Sequence, residues 1–329
     1  MLGESLESCA ASGYLVPSAE HEPAAGDRLW FTEEHFLGRY LGKAEFEFFP
    51  RSIEFPLDDK LAFASILESS GSDPVPFCSL DGDGSELPFP VVLKCRHSWI
   101  EGEQVPRGGI CKSPEELAAR ISEFRDAGIS REAFFLQAYI ADGVSNSYSV
   151  AGFFDCDDIE SSLLLTTRKR ASNRNALGYS LVVETAQGNQ AIEQCAAQVL
   201  SSLRYTGPFE LEFLHDATTD KYYALELNPR FWLQHSLFVH VYDNALVKRY
   251  VNKDNSYQPD LMQPATWISG IGLLLGILKP WSAESHEIRR SLVTAIRNRR
   301  RIVVDPPVTT SLRILTHELL HRWRKTQHG

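Results

Sequence analysis

Apolar positions recur along this chain with two periods, 3.6 over longer runs and 2 over shorter ones, and the two kinds of run alternate. Leu61, Ile66 and Leu67 predict a helix over 58–69, ended by the stretch Gly71 to Pro76. Phe89 to Cys95 is a short apolar strand that carries Lys94. Ser113 to Asp126 predicts a helix, with Ser113 as cap, Pro114 in the first turn and Glu116 closing a capping box. A strand follows over 134–140, then a strand pair over 147–154 and 161–167. Ile192, Ala196, Val199, Leu200 and Leu203 mark one face of a helix over 189–203. Strands over 209–214 and 222–227 are joined by a polar turn. The most apolar run, Trp267 to Leu278, reads as a buried helix and is shorter than the roughly 20 residues a bilayer requires. A basic helix over 284–301 and a last helix over 312–323 complete the pattern. Ahead of all these, residues 1–27 are rich in Glu, Ser, Ala and Gly. The next segment bears Trp30, Phe31, Phe36, Tyr40, Phe46, Phe48, Phe49 and Phe55, rings that require a cover, from the rest of the chain or from a second copy in a homodimer.

The strand pair over 207–230, GPFELEFLHDATTDKYYALELNPR, has the most chemistry in it. Side chains alternate along a strand, so Phe209, Leu211 and Phe213 share one face and Glu210 and Glu212 the other. Folded about Thr219, the pair sets Glu212 opposite Glu226, with Asn228 one step further along that face. Facing carboxylates repel, and one takes up a proton unless a cation lies between them. Magnesium fits that role through hard oxygen ligands, usually carboxylates plus substrate phosphates. Asn228 adds an amide oxygen, and Arg230 adds a planar fork suited to phosphate. By itself the pattern also fits a solvated acidic face on an edge hairpin.

The length of 329 residues allows about two domains. Formal charge is −10, from 33 basic and 43 acidic residues, which argues against a general nucleic-acid binder. The six cysteines contain no CxxC pair, and nothing at the start reads as a secretory leader, so free thiols and a cytoplasmic location are expected. His215 and His235 lack a third ligand at metal spacing and read as structural. The stretch 289–329 holds ten Lys or Arg against Asp305 and Glu318. It reads as a solvated helical region or as a surface for an anionic partner: a membrane, a carrier protein or a phosphorylated substrate.

In order along the chain stand Asp59-Lys60, the strand Pro90-Val91-Val92-Leu93-Lys94, Gly108-Gly109, Ser113-Pro114-Glu115-Glu116-Leu117, Gln137-Ala138-Tyr139-Ile140, and Leu225-Glu226-Leu227-Asn228-Pro229-Arg230. This order resembles the ATP-grasp superfamily, and the last motif with Phe231-Trp232 resembles its carboxylate–amine ligase branch. The resemblance covers about 58–230. It implies an α+β fold of two lobes with ATP between them, a shortened N-terminal segment (1–57), a small lobe with lid and hinge strand (58–140), a catalytic lobe with the metal site (141–255) and a helical, basic C-terminal extension (256–329). The lid stretch Glu101 to Gly109 has fewer glycines than the best-known members have.

The resemblance also implies residue roles. Lys60, Lys94, Gly108, Gly109, Gln137, Ala138, Tyr139 and Ile140 would bind ATP. Glu212, Glu226 and Asn228 would hold magnesium, or manganese in its place. Arg230, Arg168 and Arg170 would act at the terminal phosphates. The implied reaction joins a small-molecule carboxylate to an amine through an acyl phosphate, releasing ADP and phosphate. A nucleotide-binding regulatory homologue and an ATP-grasp small-molecule kinase are the alternatives.

Overall fold

The computed structural model describes residues 14–15, 23–31, 34–50, 53, 55–56, 58–80, 87–100, 103–105, 108–141, 146–173, 180–186, 189–242, 244–252, 264–279, 281–305 and 307. The expected helix over 312–323 lies outside them.

Two sheets carry the chain. The smaller has four antiparallel strands in the order β3 (Phe77–Ser79), β8 (Phe134–Ala138), β4 (Val91–Cys95), β7 (Gly109–Cys111). Short pairs β1 (Tyr14–Leu15) with β2 (Arg28–Leu29), and β5 (Trp99–Ile100) with β6 (Glu103–Gln104), stand apart. The larger sheet has seven strands in the order β13 (Lys221–Asn228), β12 (Gly207–Asp216), β9 (Ser147–Phe154), β10 (Leu163–Ser172), β11 (Ser180–Thr185), β14 (Ala265–Ser269), β15 (Arg301–Asp305). Its pairings are antiparallel except β14 with β15, which is parallel.

The helices form where caps and spacing place them. Among the described residues these are α1 (Glu34–Tyr40), α2 (Lys60–Ser69), α3 (Pro114–Asp126), α4 (Gln190–Ser202), α5 (Leu237–Val241), α6 (Ala245–Asn252), α7 (Gly270–Leu278) and α8 (Ala283–Arg297). Asp59 caps α2 by accepting from the Ala62 amide, and Ser113 caps α3 by accepting from Glu116, whose carboxylate reaches back one residue further, to the Lys112 amide. On one face of the large sheet α2 and α4 bury Phe63, Leu67, Val199 and Leu200 against Val150, Leu211 and Phe213. At the far end of that face Ile288 of α8 packs on Val182 and Ile268. The other face is covered by α5, α6 and the aromatic N-terminal segment, where Trp30 stacks on Phe231 at 3.4 Å. Trp30, Phe31, Phe46, Phe48 and Phe55 are thus buried within the chain. The five described cysteines are not joined in disulfides.

Two expectations are corrected. The apolar run Trp267 to Leu278 does not form one helix: Ala265–Ser269 is a strand and the helix begins at Gly270. All five residues of that strand are buried, so it lacks the alternation that would mark it. The basic helix ends at Arg297, and Arg301–Asp305 continues as an edge strand. Arg299 at φ 52° makes the reversal between them.

Candidate functional site

The predicted register holds where the acids stand and is displaced by one residue nearer the turn. Glu212 lies opposite Glu226, and Glu210 opposite Asn228. A bulge after Glu212 leaves Leu225 as the extra residue, so both carboxylates stay on one face while Ala224 and Phe213 keep to the core. Phe209, Leu211 and Phe213 are all 0% exposed on the opposite side and fix the strands that present the acids.

Each acid has a cation. Lys60 at the start of α2 comes within 3.5 Å of Glu226, and Lys94 on β4 within 3.9 Å. Lys169 on β10 reaches Glu212 at 3.6 Å. The Lys60 ammonium also donates to Ser98 and Asp58, while Asp59 binds Arg96 at 2.6 Å. Burial pushes the Lys94 ammonium down, and Glu226 opposes that. Burial also pushes Glu226 up, but Lys60, Lys94 and Arg230 together hold it below the usual carboxylate value. Glu210 has weaker compensation: burial and then the charge of Glu212 raise it to about 7. Its carboxylate accepts from the Asn228 amide at 3.0 Å, and Arg230 donates to the other side of that amide at 3.3 Å. As they stand the carboxylates are turned to lysines, and among the described residues no three His, Cys, Asp or Glu side chains converge on a point.

A small open cleft adjoins this face, lined by Phe55, Asp58, Lys60, Phe63, Glu226 and Pro229. Above it, Gly108 lies so close to the Leu93 backbone that a Cβ there would come within 1.8 Å of the Leu93 carbonyl oxygen. Only glycine permits that approach beside Lys94. Gly109 pairs with Leu93 in the sheet. In the strand ending at Ala138, Gln137 is buried, and the Ala138 amide donates to Pro76 at 2.7 Å. Tyr139 and Ile140 lie just beyond its end, with Tyr139 exposed.

The structure therefore brings Lys60, Lys94, Glu212, Glu226, Asn228 and Arg230 together. It does not bring Arg168 and Arg170 to them. Arg168 lies over the Tyr148 ring at 5.3 Å, and Arg170 binds Glu184 at 2.7 Å. Tyr148 pairs with Phe213, and Glu184 with Arg168, so these side chains belong to the sheet face away from the acids. The cation that does reach the acid face is Lys169, between the two arginines. Alternation along β10 is the signal that separates it from them. Glu210 is the other residue to join the site, through the same alternation that placed Glu212. His215 binds Asp220 at 2.9 Å, and His235 is buried with Nδ1 against the Trp232 carbonyl, both away from the carboxylates.

The family model described as carbamoyl-phosphate synthase L chain, ATP binding domain, matches residues 176–251, which include the acid-bearing pair. No curated protein matches the sequence. Among solved structures, N5-carboxyaminoimidazole synthetase from Staphylococcus aureus is similar at TM-score 0.57 and 16% identity, over 84% of this chain and 83% of that one. Rhizobium etli pyruvate carboxylase is similar at TM-score 0.57 and 18% identity, over 79% of this chain and 24% of that one. The biotin carboxylase domain of Hydrogenobacter thermophilus 2-oxoglutarate carboxylase, solved with MgADP, ADP and bicarbonate, is similar at TM-score 0.50 and 18% identity. That match covers 64% of this chain and 49% of the other. The chain thus spans about half or less of two of these three proteins, and the likeness is one of fold.

Proposed function

We propose, from the premise that this chain has the ATP-grasp fold, that it is an ATP-dependent ligase joining a carboxylate to an amine, with release of ADP and phosphate. The observation that carries this reading is the meeting of Glu212 and Glu226 in register, with Lys60 and Lys94 within 4 Å of Glu226. Such a set can exchange partners. Phosphate oxygens would take over the two lysines and Arg230, and a divalent cation, magnesium or manganese, would take over Glu212, Glu226 and the Asn228 oxygen. The cation would shield the charge between the phosphates and polarise the transferred phosphoryl group.

The chemistry then needs positioning and charge neutralisation, with no protein nucleophile. A substrate carboxylate oxygen attacks the γ-phosphorus, and ADP leaves. The amine attacks the carbonyl carbon of the acyl phosphate, and phosphate leaves with the bonding electrons. Lys60 and Lys94 would neutralise the ATP phosphates from the small lobe, with Gly108 and Gly109 beside them. Backbone groups of Ala138 and Ile140, flanked by Gln137 and Tyr139, would meet the adenine edge. Arg230 and Lys169 would face the transferred phosphoryl group, the role first expected of Arg168 and Arg170. The boundaries we propose are 1–57, 58–140, 141–255 and 256–329.

Nucleotide product analysis tests this. The protein is incubated with magnesium, ATP, pooled small organic and amino acids, and hydroxylamine, with Glu226→Ala as control. ADP and a hydroxamate, both lost in the control, are the expected result. AMP and pyrophosphate would overturn the route, ADP without hydroxamate would favour a kinase, and ATP binding without turnover would favour a regulatory protein.

A further inference from the structure

Seven large apolar side chains stand exposed among the described residues, and four of them belong to the hairpin of α7 and α8: Ile277 (67%), Trp281 (88%), Val293 (64%) and Ile296 (67%). On α8 the buried stripe is Ser285, Ile288, Ser291 and Ala295, which faces the sheet. Helical spacing puts His286, Arg290, Val293 and Arg297 on the opposite, outward side, with Arg289 and Ile296 along one border. This side is a convex ridge about 22 Å long. Arg299 and Arg301, both exposed, extend the positive charge past its end, whereas Arg300 turns inward to Thr185 and Ala265. Glu284 and Glu287 are the acids on the helix, and Glu287 lies 3.8 Å from Arg290.

We propose that this ridge, with Trp281 and Ile277 at one end and Val293 and Ile296 at the other, docks on an anionic phospholipid surface. Two aliphatic side chains set among arginines on one helix, with Trp281 and Ile277 exposed just ahead of its start, suit a helix lying in the plane of a headgroup layer. A convex ridge fits a deformable layer without needing a matching groove. A second copy is the poorer occupant, because two-fold pairing of the ridge sets arginine against arginine. The rest of the molecule reinforces the orientation. The chain as a whole carries −10, so an anionic surface repels the body and attracts this face.

The test is flotation of the full chain with phosphatidylcholine vesicles, with and without phosphatidylglycerol. Binding is expected only with the anionic lipid, and added salt should weaken it. The triple variants Trp281→Ser/Val293→Ser/Ile296→Ser and Arg289→Gln/Arg290→Gln/Arg297→Gln should each bind at least about tenfold more weakly, with unchanged circular dichroism. Should either variant misfold, quenching by brominated lipid keeps the test open, because the wild-type protein should lose fluorescence that Trp281→Phe does not. Failure to bind anionic vesicles, equal binding to neutral ones, or full binding by both triple variants would overturn the proposal. The last outcome would move the contact to another part of the chain or to a protein partner.

Discussion

The two faces of the strand pair β12–β13 are built from alternate residues of the same segment, yet they obey opposite rules. One face sets Phe209, Leu211 and Phe213, all at 0% exposure, against α2 and α4. The other gathers Glu210, Glu212, Glu226 and Asn228 with Lys60, Lys94, Lys169 and Arg230 around them. Burial of three large apolar side chains is favourable by several kcal/mol in total. Like charges held a few ångströms apart are not favourable, and only their cations make them tolerable. The lesson is a division of labour within single strands. The apolar face holds the backbone rigid, and that rigidity keeps the acids in a geometry they would otherwise leave.

The sharpest break of this comparison is a cavity on the apolar side. Phe213→Ala should destabilise the protein by about 3–5 kcal/mol, read by urea unfolding. The molecules that remain folded should still bind nucleotide, because the acid face loses no side chain. A loss under about 1 kcal/mol would mean that this face does not hold the platform.

On the acid face the next effect is a pH dependence. Glu210 stands at about 7 in the folded chain against 4.5 for an ordinary glutamate. Between those values the native state keeps a proton that the unfolded state has released. Stability measured without divalent cations should therefore fall as pH rises through this window, by roughly 3 kcal/mol in all, and level off above it. Glu210→Gln should flatten the fall. An unchanged slope in that variant would assign the dependence to another group. A smaller effect is expected at the lysine clamp. Glu226→Gln leaves Lys60 and Lys94, whose side chains are 15% and 20% exposed, without their shared carboxylate. A loss of about 1–2 kcal/mol without metal follows, less than for a fully buried pair because water still screens the site. Isothermal titration should show magnesium–nucleotide binding lost in the same variant.

The meeting of Glu212 with Glu226 was legible in the sequence because both strands alternate about Thr219, whereas the bulge at Leu225, which shifts every pair nearer the turn, carried no signal. Lys60 and Lys94 were legible through the resemblance alone, in Asp59-Lys60 and at the end of Pro90-Val91-Val92-Leu93-Lys94. Other parts carried no such signal. Ser180–Thr185 and Ala265–Ser269 are buried on both faces, and a strand without a wet side shows no period. Phe77–Ser79 and Gly109–Cys111 are three residues each and find their partners only through distant chain. The electrostatic role of Glu210 depends on Ser149, Lys169 and Arg230, three residues from three different segments.

A kinetic prediction separates neighbours on one strand. Residues 168, 169 and 170 read as one basic cluster, but in the sheet only Lys169 crosses to the acids, 3.6 Å from Glu212. Arg168 lies over Tyr148 on the other face. On the proposed reaction, Lys169→Met should lower kcat/KM by roughly ten- to a hundredfold, because it removes a charge assigned there to the phosphate oxygens. Arg168→Met removes a cation–π contact at a partly exposed ring, worth about 0.5–1 kcal/mol of stability, and should leave kcat/KM within about threefold. Equal kinetic losses in the two variants would mean that the strand face does not decide which cation serves the site, and the contrast between the two faces would lose its functional meaning.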